Sequence, residues 1–204
     1  MSAVLFDIQN LVKQYATNSG FLNHQKRMIR AVDGVSLQIQ AGETLGLVGE
    51  SGCGKSTLAK LLMLLEKPDD GIACFREADI FTLGADDVKN YRTRVQMIFQ
   101  DPYSSLNPRM SALNIISEPL RIHRIGDNRQ ITEAAYEMMA KVGLTQEQAN
   151  RFPHEFSGGQ RQRIGIARAL CLRPELVIAD EPVSALDASI QAQILNLLSD
   201  LKQI

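Results

Sequence analysis

One glycine-rich segment constrains the fold of this chain more than any other feature of its sequence. Residues 49–56 read GESGCGKS, the pattern Gly-x-x-x-x-Gly-Lys-Ser, which forms a phosphate-binding loop between a strand and a helix. The glycines let successive backbone N–H groups converge on phosphate oxygens, and the lysine ammonium neutralises their charge. The flanks fit, because residues 45–48 suit a buried parallel strand and residues 56–66 place leucines on one helical face. The sequence therefore predicts a nucleotide-binding α/β domain.

The loop supplies most of the candidate nucleotide-binding residues, namely Gly49, Ser51, Gly52, Cys53, Gly54, Lys55, Ser56 and Thr57. Lys55 is also a candidate catalytic residue because its ammonium lies where phosphate charge develops. A plain glycine turn with a surface lysine is the alternative, and the flanking strand and helix argue against it. Thr57 is open to two interpretations, a phosphate contact or an ordinary residue of the first helical turn.

Composition excludes several classes of protein. A chain of 204 residues is one domain, or one domain with an insert, and its net charge of −1 gives no general footprint for nucleic acid. Its first ten residues do not form a secretory signal, and the apolar stretch at 58–65 is interrupted by Lys60 and too short to span a membrane. The three cysteines show no pairing or metal-binding spacing. We expect a cytosolic protein that can still dock on a membrane protein.

The amino-terminal half predicts strands joined by turns. Residues 4–8 and 35–39 alternate apolar and polar side chains, as half-buried antiparallel strands do. Residues 17–30 between them are polar and contain Asn-Ser-Gly, which predicts a loop or a long hairpin connection. Residues 67–71 (KPDDG) predict a turn that ends the helix, and residues 95–99 a second apolar strand before Gln100.

The carboxyl-terminal half changes to helices. Helices are predicted at 112–122, 131–142 and 146–151, which indicates a helical insert over 101–155 within an α/β core. A further helix opens at Gly158 and is stopped by Pro174, a third buried strand follows at 176–179, and a last helix covers 188–204 with its apolar side facing inward.

An acidic pair, Asp180 and Glu181, ends the third strand. In phosphate-binding-loop enzymes an aspartate at this position holds Mg²⁺ together with the loop hydroxyl, here Ser56. A carboxylate one residue later points at the γ-phosphate and can polarise the attacking water. Two acids at the start of a helix are the alternative, which the apolar strand before them disfavours. Asp180 is therefore a candidate metal ligand and Glu181 a candidate catalytic base.

Five motifs occur in register across almost the whole chain: GESGCGKS, Gln100 after a strand, FSGGQRQR from 156, LVIADEP from 176 and SALD from 184. Together they resemble the nucleotide-binding subunit of an ABC transporter. The strings QDPYSSLNPRM, EPLRIH and FPHEFSGGQRQRIGIARAL resemble the subset that serves bacterial dipeptide and oligopeptide importers. Phe156 stands where most relatives have leucine, which we interpret as a packing substitution.

The resemblance implies an α/β fold: a phosphate-binding-loop core with a mostly parallel sheet, an amino-terminal antiparallel β subdomain and an inserted helical subdomain. It divides the chain into one domain, with core and β subdomain at 1–100 and 156–204 and the helical insert at 101–155. It implies that Tyr15 stacks on adenine, although an ordinary strand aromatic is the alternative. It makes Gln100 a candidate catalytic residue and metal ligand, which contacts Mg²⁺ or water at one end and moves with the insert at the other. An ordinary surface glutamine is the alternative.

The same resemblance assigns Ser157, Gly158, Gly159 and Gln160 to the signature that covers ATP bound to another subunit. A hydroxyl, bare amides and a helix N-terminus favour an anion there, whereas Ser-Gly-Gly by itself is often a turn. The cofactors implied are ATP and Mg²⁺. The partners implied are a second ATPase subunit of the same or another kind, transmembrane permease subunits and, indirectly, a solute-binding protein, with no nucleic acid.

The function implied is an ATP-hydrolysing motor for import of peptides or similar small solutes, peripheral on the cytoplasmic face of a bacterial inner membrane. A soluble ABC ATPase of DNA repair or translation is one alternative, for which basic stripes or tandem domains are expected and not visible. An ATP-binding regulatory subunit with little turnover is another, against which Glu181 and the intact signature argue.

Relatives carry a histidine on a strand after the last helix, and none of the three histidines, His24, His123 and His154, lies in that place. A crossover helix ordinarily returns to the sheet, so a further parallel strand is expected after residue 204. We therefore expect a chain that is incomplete at its C-terminus and has low hydrolytic activity.

Overall fold

A computed structural model describes residues 3–18, 26–101, 105–184 and 186–201. The chain forms two compact units, Met1–Val88 and Lys89–Ile204. The predicted division into a core and an insert at 101–155 stays a prediction. No helix in the described ranges is long and apolar enough to cross a bilayer.

The first unit contains an antiparallel sheet of four strands. They are β1 (Val4–Asn18), β2 (Lys26–Gln40), β3 (Asp70–Phe75) and β4 (Ala78–Asp79), in the order β2-β1-β3-β4. Phe6 and Ile8, on one face of β1, are buried, and the Phe6 ring packs on Phe75 with centroids 5.7 Å apart. The alternation over 4–8 and 35–39 thus predicted the antiparallel pair correctly.

The hairpin between β1 and β2 has longer strands than the sequence predicts. β1 continues to Asn18 and β2 begins at Lys26, so both ends of the polar segment 17–30 are strand, while 19–25 lies outside the described residues. Polar composition marks contact with water rather than the absence of a strand, because backbone pairing across a hairpin is independent of side-chain polarity. For the same reason Asp70 and Gly71, predicted as turn, already belong to β3.

The predicted buried strand at 45–48 is wrong. Neither of the two described sheets includes this segment, and Leu45, Leu47 and Val48 are 44%, 49% and 95% exposed. An apolar run becomes a strand only when a neighbouring strand satisfies its backbone hydrogen bonds, and composition alone does not supply that neighbour.

The loop at 49–54 leads into helix α1 (Lys55–Leu62), as predicted. Leu58, Leu61 and Leu62 are buried, whereas Leu65 is 57% exposed and lies beyond the helix. The helix is shorter than the predicted 56–66 because Leu64 has φ 53°, a left-handed backbone that cannot continue a right-handed helix.

The second unit joins a parallel strand pair to a helical layer. Strands β5 (Val95–Ile98) and β6 (Leu176–Ala179) pair in parallel, at the positions the sequence predicts. The helices are α2 (Ala85–Arg94), which crosses from one unit to the other, α3 (Ala112–His123), α4 (Asn128–Lys141), α5 (Gly158–Leu170) and α6 (Ala188–Leu201). Helices α3, α4 and α5 pack around a core that includes Ile116, Met139 and Ile164.

Two helix predictions after residue 145 differ from the structure. The segment 146–151 holds only a short 3-10 turn at Gln146–Gln148. Helix α5 ends at Leu170, so Pro174 follows the end rather than causing it. In α6 the inward side is confirmed by Ile194, which is fully buried, and by the half-buried Ile190, while residues 202–204 lie outside the described part of the chain.

Candidate functional site

The phosphate-binding loop is shaped by its backbone. Gly54, the residue before α1, has φ 101°, and a Cβ atom there would lie 1.9 Å from the carbonyl oxygen of Ala31. Only glycine fits both this left-handed conformation and this close approach. No side chain caps the first turn of α1. Glycine at this position therefore sets the loop geometry and leaves the first-turn amides to other acceptors.

Lys55 folds back over the loop that precedes it. Its Nζ donates hydrogen bonds to the carbonyl oxygens of Gly49 (2.7 Å) and Glu50 (2.9 Å), and lies 3.7 Å from Cys53 Sγ. The ammonium is thus held against the start of the loop, close to the first turn of α1. An ammonium beside a helix N-terminus is a combination that favours a bound anion.

Tyr15 lies beside the helix that follows the loop. Its hydroxyl donates to a carboxylate oxygen of Glu66. The bond to Glu66 and partial burial raise the pKa of Tyr15, while the neighbouring Thr57 side chain in α1 lowers it. Tyr15 is 36% exposed and Lys13 Nζ lies 5.6 Å from its ring centroid. Two predicted nucleotide-binding residues, Tyr15 and Thr57, are therefore neighbours.

In the second unit, Gln100 and Glu181 meet after neighbouring strands. Strands β5 and β6 are parallel with Ile98 opposite Ala179, and Asp180 N donates to Ile98 O at 3.1 Å, which extends the ladder by one bond. The residues that follow the two strands emerge at the same edge of the sheet. Gln100 Nε2 donates to Glu181 Oε2 at 2.7 Å. Two predicted catalytic residues, 81 positions apart, are thereby joined.

Ser184 completes this cluster. Its hydroxyl accepts from Gln100 Nε2 at 3.3 Å and donates to the backbone oxygen of Glu181 at 3.1 Å. Glu181 has φ 43°, a left-handed conformation that is uncommon outside glycine and is concentrated at functional sites. Ser184 belongs to the SALD motif, but the motif alone indicates no role for its hydroxyl. Glu66 has no signal in local spacing either, because its partner Tyr15 lies 51 residues away.

The signature begins helix α5 with a complete capping box. Ser157 Oγ accepts from Gln160 N at 3.3 Å, and Gln160 Oε1 accepts from Ser157 N at 3.0 Å. A Cβ on Gly159 would lie 2.7 Å from Ile190 Cγ2, so this glycine lets α5 approach α6 closely. Ser157, Gly159 and Gln160 therefore have structural roles in addition to those that the sequence predicts.

The predicted site residues thus fall into two groups. Tyr15, Gly49, Ser51, Gly52, Cys53, Gly54, Lys55, Ser56 and Thr57 belong to the first unit, and Gln100, Ser157, Gly158, Gly159, Gln160, Asp180 and Glu181 to the second. Ser56 is in the first turn of α1 and Asp180 follows β6. Their shared Mg²⁺ stays a prediction.

The cysteines and histidines differ sharply in environment. Cys53 is exposed, whereas Cys171 is buried, and burial raises the pKa of its thiol to about 11. His154 stacks on Phe152 with ring centroids 5.9 Å apart, and burial lowers the pKa of His123. His24 lies outside the described residues. Among described residues, no group of three or more histidine, cysteine or acidic side chains could hold a metal ion.

Comparison with known proteins places these features in a family. The ABC transporter family model matches residues 32–184. The chain is 53% identical, over its whole length, to a probable peptide ABC transporter ATP-binding protein, y4tS, of Sinorhizobium fredii, and covers 58% of that protein. It is 50% identical over 98% of its length to the oligopeptide transport ATP-binding protein AppF of Bacillus subtilis, of which it covers 61%. The chain spans about three fifths of the length of these relatives.

The structure is similar to a solved ABC cassette. It matches the dimeric post-hydrolysis structure of the ATP-binding cassette MJ0796 bound to ADP and Pi with a TM-score of 0.84 and 31% identity, over 97% of this chain and 83% of that one. The predicted fold class, an α/β cassette with an antiparallel amino-terminal sheet and a parallel sheet, is confirmed. Motifs, fold and relatives together establish that the chain belongs to the ABC transporter family.

Proposed function

We propose that this chain binds ATP with Mg²⁺ and hydrolyses it as the motor of a bacterial importer of peptides or similar small solutes. The observation that carries the hydrolytic part is the Glu181 carboxylate held by the Gln100 amide at 2.7 Å, where two parallel strands end. In a chain that also has a phosphate-binding loop motif, a carboxylate fixed at such an edge is suited to activating water. The names of the relatives favour peptide transport over a soluble ATPase of repair or translation.

The first unit provides the groups that bind the nucleotide. Lys55 exchanges its bonds to the Gly49 and Glu50 carbonyls for phosphate oxygens, the loop amides at 51–54 donate to the same oxygens, and Tyr15 stacks on the adenine. Charge-assisted hydrogen bonds from an ammonium are stronger than neutral ones, so Lys55 is expected to contribute most to affinity.

The proposed metal ligands are oxygen donors, as Mg²⁺ prefers. They are the Ser56 hydroxyl, the Asp180 carboxylate and the Gln100 amide oxygen. The nitrogen of the same Gln100 amide donates to Glu181 and Ser184. With phosphate oxygens completing the shell, a cluster of acids is not required. The metal would neutralise phosphate charge.

Glu181 is the proposed general base. In the structure its carboxylate accepts from Gln100, and a shift of that amide toward metal or phosphate would free Glu181 to accept a proton from the attacking water. Ser184 ties the backbone of Glu181 to the same amide. Movement of Gln100 would therefore couple the helical segment after it to hydrolysis.

The same proposal includes a dimer of ATPase subunits that docks on a membrane permease. The signature residues Ser157, Gly158, Gly159 and Gln160 cover ATP held by a second ATPase subunit. The dimeric form of the similar MJ0796 cassette supports the existence of such a second subunit. The dimer sits peripherally on the cytoplasmic face of the inner membrane, against permease subunits that a solute-binding protein loads. The core at 1–100 and 156–204 and the insert at 101–155 act as parts of one domain.

The test of nucleotide binding is Lys55→Ala, titrated with Mg-ATP by calorimetry. We expect affinity to fall by on the order of 10-fold or more, because the phosphate charge loses its ammonium partner. Lys141→Ala removes a lysine paired with Glu137 on α4 and serves as control. Equal affinity in the Lys55 variant and the wild type would refute the binding role. Copurification with permease subunits tests the importer assignment separately.

A further inference from the structure

Tyr15 is held in place by a set of contacts that the family motifs do not describe. Its hydroxyl donates a hydrogen bond to Glu66 Oε2. An aromatic side chain that is 36% exposed on a strand would otherwise sample several rotamers. The bond to Glu66 restricts the direction of the ring.

Glu66 is itself fixed. Lys60 Nζ lies 3.8 Å from Glu66 Oε1, the carboxylate oxygen that does not contact Tyr15. The segment after Glu66 is attached to β1: Asp69 N donates to Val12 O at 2.9 Å, and Gln14 N donates to Asp69 Oδ2 at 2.6 Å. The acceptor for the Tyr15 hydroxyl is thus carried by a segment bonded to the same strand as Tyr15.

Lys13 restricts which face of the ring is usable. Its ammonium lies over the Tyr15 ring, 5.6 Å from the centroid, and is anchored by the Lys67 carbonyl at 2.7 Å and by Asp69 at 3.7 Å. The lysine side chain is only 16% exposed, so it is not a loose surface cation. A flat base that stacks on Tyr15 must therefore take the opposite face.

We propose that Glu66 is a positioning residue for the nucleobase: it holds the Tyr15 ring, through the tyrosine hydroxyl, in the orientation that stacks on adenine. This rests on the proposed function, in which Tyr15 contacts the base. Ordering a free side chain costs affinity, and a ring that is already ordered avoids that cost. Glu66 thereby contributes to recognition of the base and not to recognition of the phosphates.

The experiment compares two ligands, Mg-ATP and Mg-tripolyphosphate, the second of which has the phosphates without the base. Glu66→Ala and Tyr15→Phe each break the same hydrogen bond from one side, and Tyr15→Phe keeps the ring. We expect each to weaken ATP binding roughly 3- to 10-fold and to leave tripolyphosphate binding unchanged. The double variant should lose no more affinity than Tyr15→Phe alone, because the hydrogen bond to Glu66 is already absent there.

Two further variants serve as controls, one at Glu66 itself and one at a distant surface carboxylate. Glu66→Gln retains an acceptor and should bind ATP close to the wild-type level, while Glu77→Gln removes a carboxylate from the exposed turn between β3 and β4 and should change neither ligand. Unchanged ATP affinity in both Glu66→Ala and Tyr15→Phe would overturn the inference. Equal weakening of both ligands would also overturn it, because Glu66 would then act through the phosphate-binding loop.

Failure of this inference is distinguishable from failure of the proposed function. A wild-type protein that binds neither ligand would refute nucleotide binding altogether, and this inference with it. A wild-type protein that binds ATP, with Lys55→Ala weakened for both ligands and the Glu66 variants unaffected, would refute the role of Glu66 alone.

Discussion

The phosphate-binding loop and the Gln100–Glu181–Ser184 cluster are built by opposite means. The loop is formed by consecutive residues whose shape comes from backbone: glycine at 54 against the Ala31 carbonyl, and Lys55 bonded to two loop carbonyls. The cluster is formed by side chains from segments 81 and 84 residues apart, brought together by parallel pairing of β5 and β6. The first therefore depends on local conformation and the second on the sheet.

The variant with the largest expected effect on activity tests the Gln100–Glu181–Ser184 cluster. Glu181→Gln removes only the proton acceptor, so we predict that kcat for ATP falls by on the order of 10²-fold or more while ATP affinity is kept. Steady-state hydrolysis and equilibrium titration measure the two quantities. Glu147→Gln, an exposed acid in the same unit, should leave both unchanged. Near-normal hydrolysis by the Glu181 variant would remove this residue from the mechanism.

The next prediction isolates the backbone-built loop. Gly54→Ala adds a Cβ 1.9 Å from a carbonyl oxygen at φ 101°, so we expect the free energy of unfolding to fall by about 3 kcal/mol or more. Gly52→Ala is the matched control, because Gly52 also has a positive φ, 81°, but open space around its Cβ. It should cost only about 1–2 kcal/mol. Denaturant melts of the two variants give the comparison, and equal losses would contradict the steric argument.

Thiol labelling distinguishes a loop that is open to ligand from a buried core. Cys53 is exposed in the loop, and Cys171 is buried with a pKa of about 11, so Cys171 remains a protonated thiol at pH 8. We predict that Cys53 reacts with iodoacetamide at least about 10-fold faster than Cys171, and that Mg-ATP slows only Cys53. Mass spectrometry of timed samples measures both rates. An equal rate of Cys53 labelling with and without Mg-ATP would show that the nucleotide does not bind at this loop.

The smallest expected effect on stability concerns the signature, where the Ser157 and Gln160 side chains cap the start of α5. Ser157→Ala breaks a reciprocal capping box and should lower the free energy of unfolding by about 1 kcal/mol. Ser111 caps α3 with one long bond of 3.5 Å to Asn114 N, so Ser111→Ala should cost less. Thermal melts compare the two. A larger loss of stability in Ser111→Ala than in Ser157→Ala would show that cap geometry does not determine the contribution of each cap.

Local patterns predicted what depends on neighbouring residues. Both strands of the parallel pair, the start of α1 and the start of α5 lie where the sequence placed them, because turn residues, helix caps and apolar periodicity act over a few positions. The run at 45–48 has the composition of a strand and is exposed instead, because strand formation needs a partner that composition does not provide.

The sequence by itself determined the phosphate-binding loop, the identity of the acidic pair and, through five ordered motifs, the family. Only the tertiary structure decided that the Gln100 amide bonds both Glu181 and Ser184, and that the Tyr15 hydroxyl bonds Glu66. The reason is physical: glycine conformation and helix capping are set within a few residues, whereas contacts across 51 to 84 residues exist only after strands have paired.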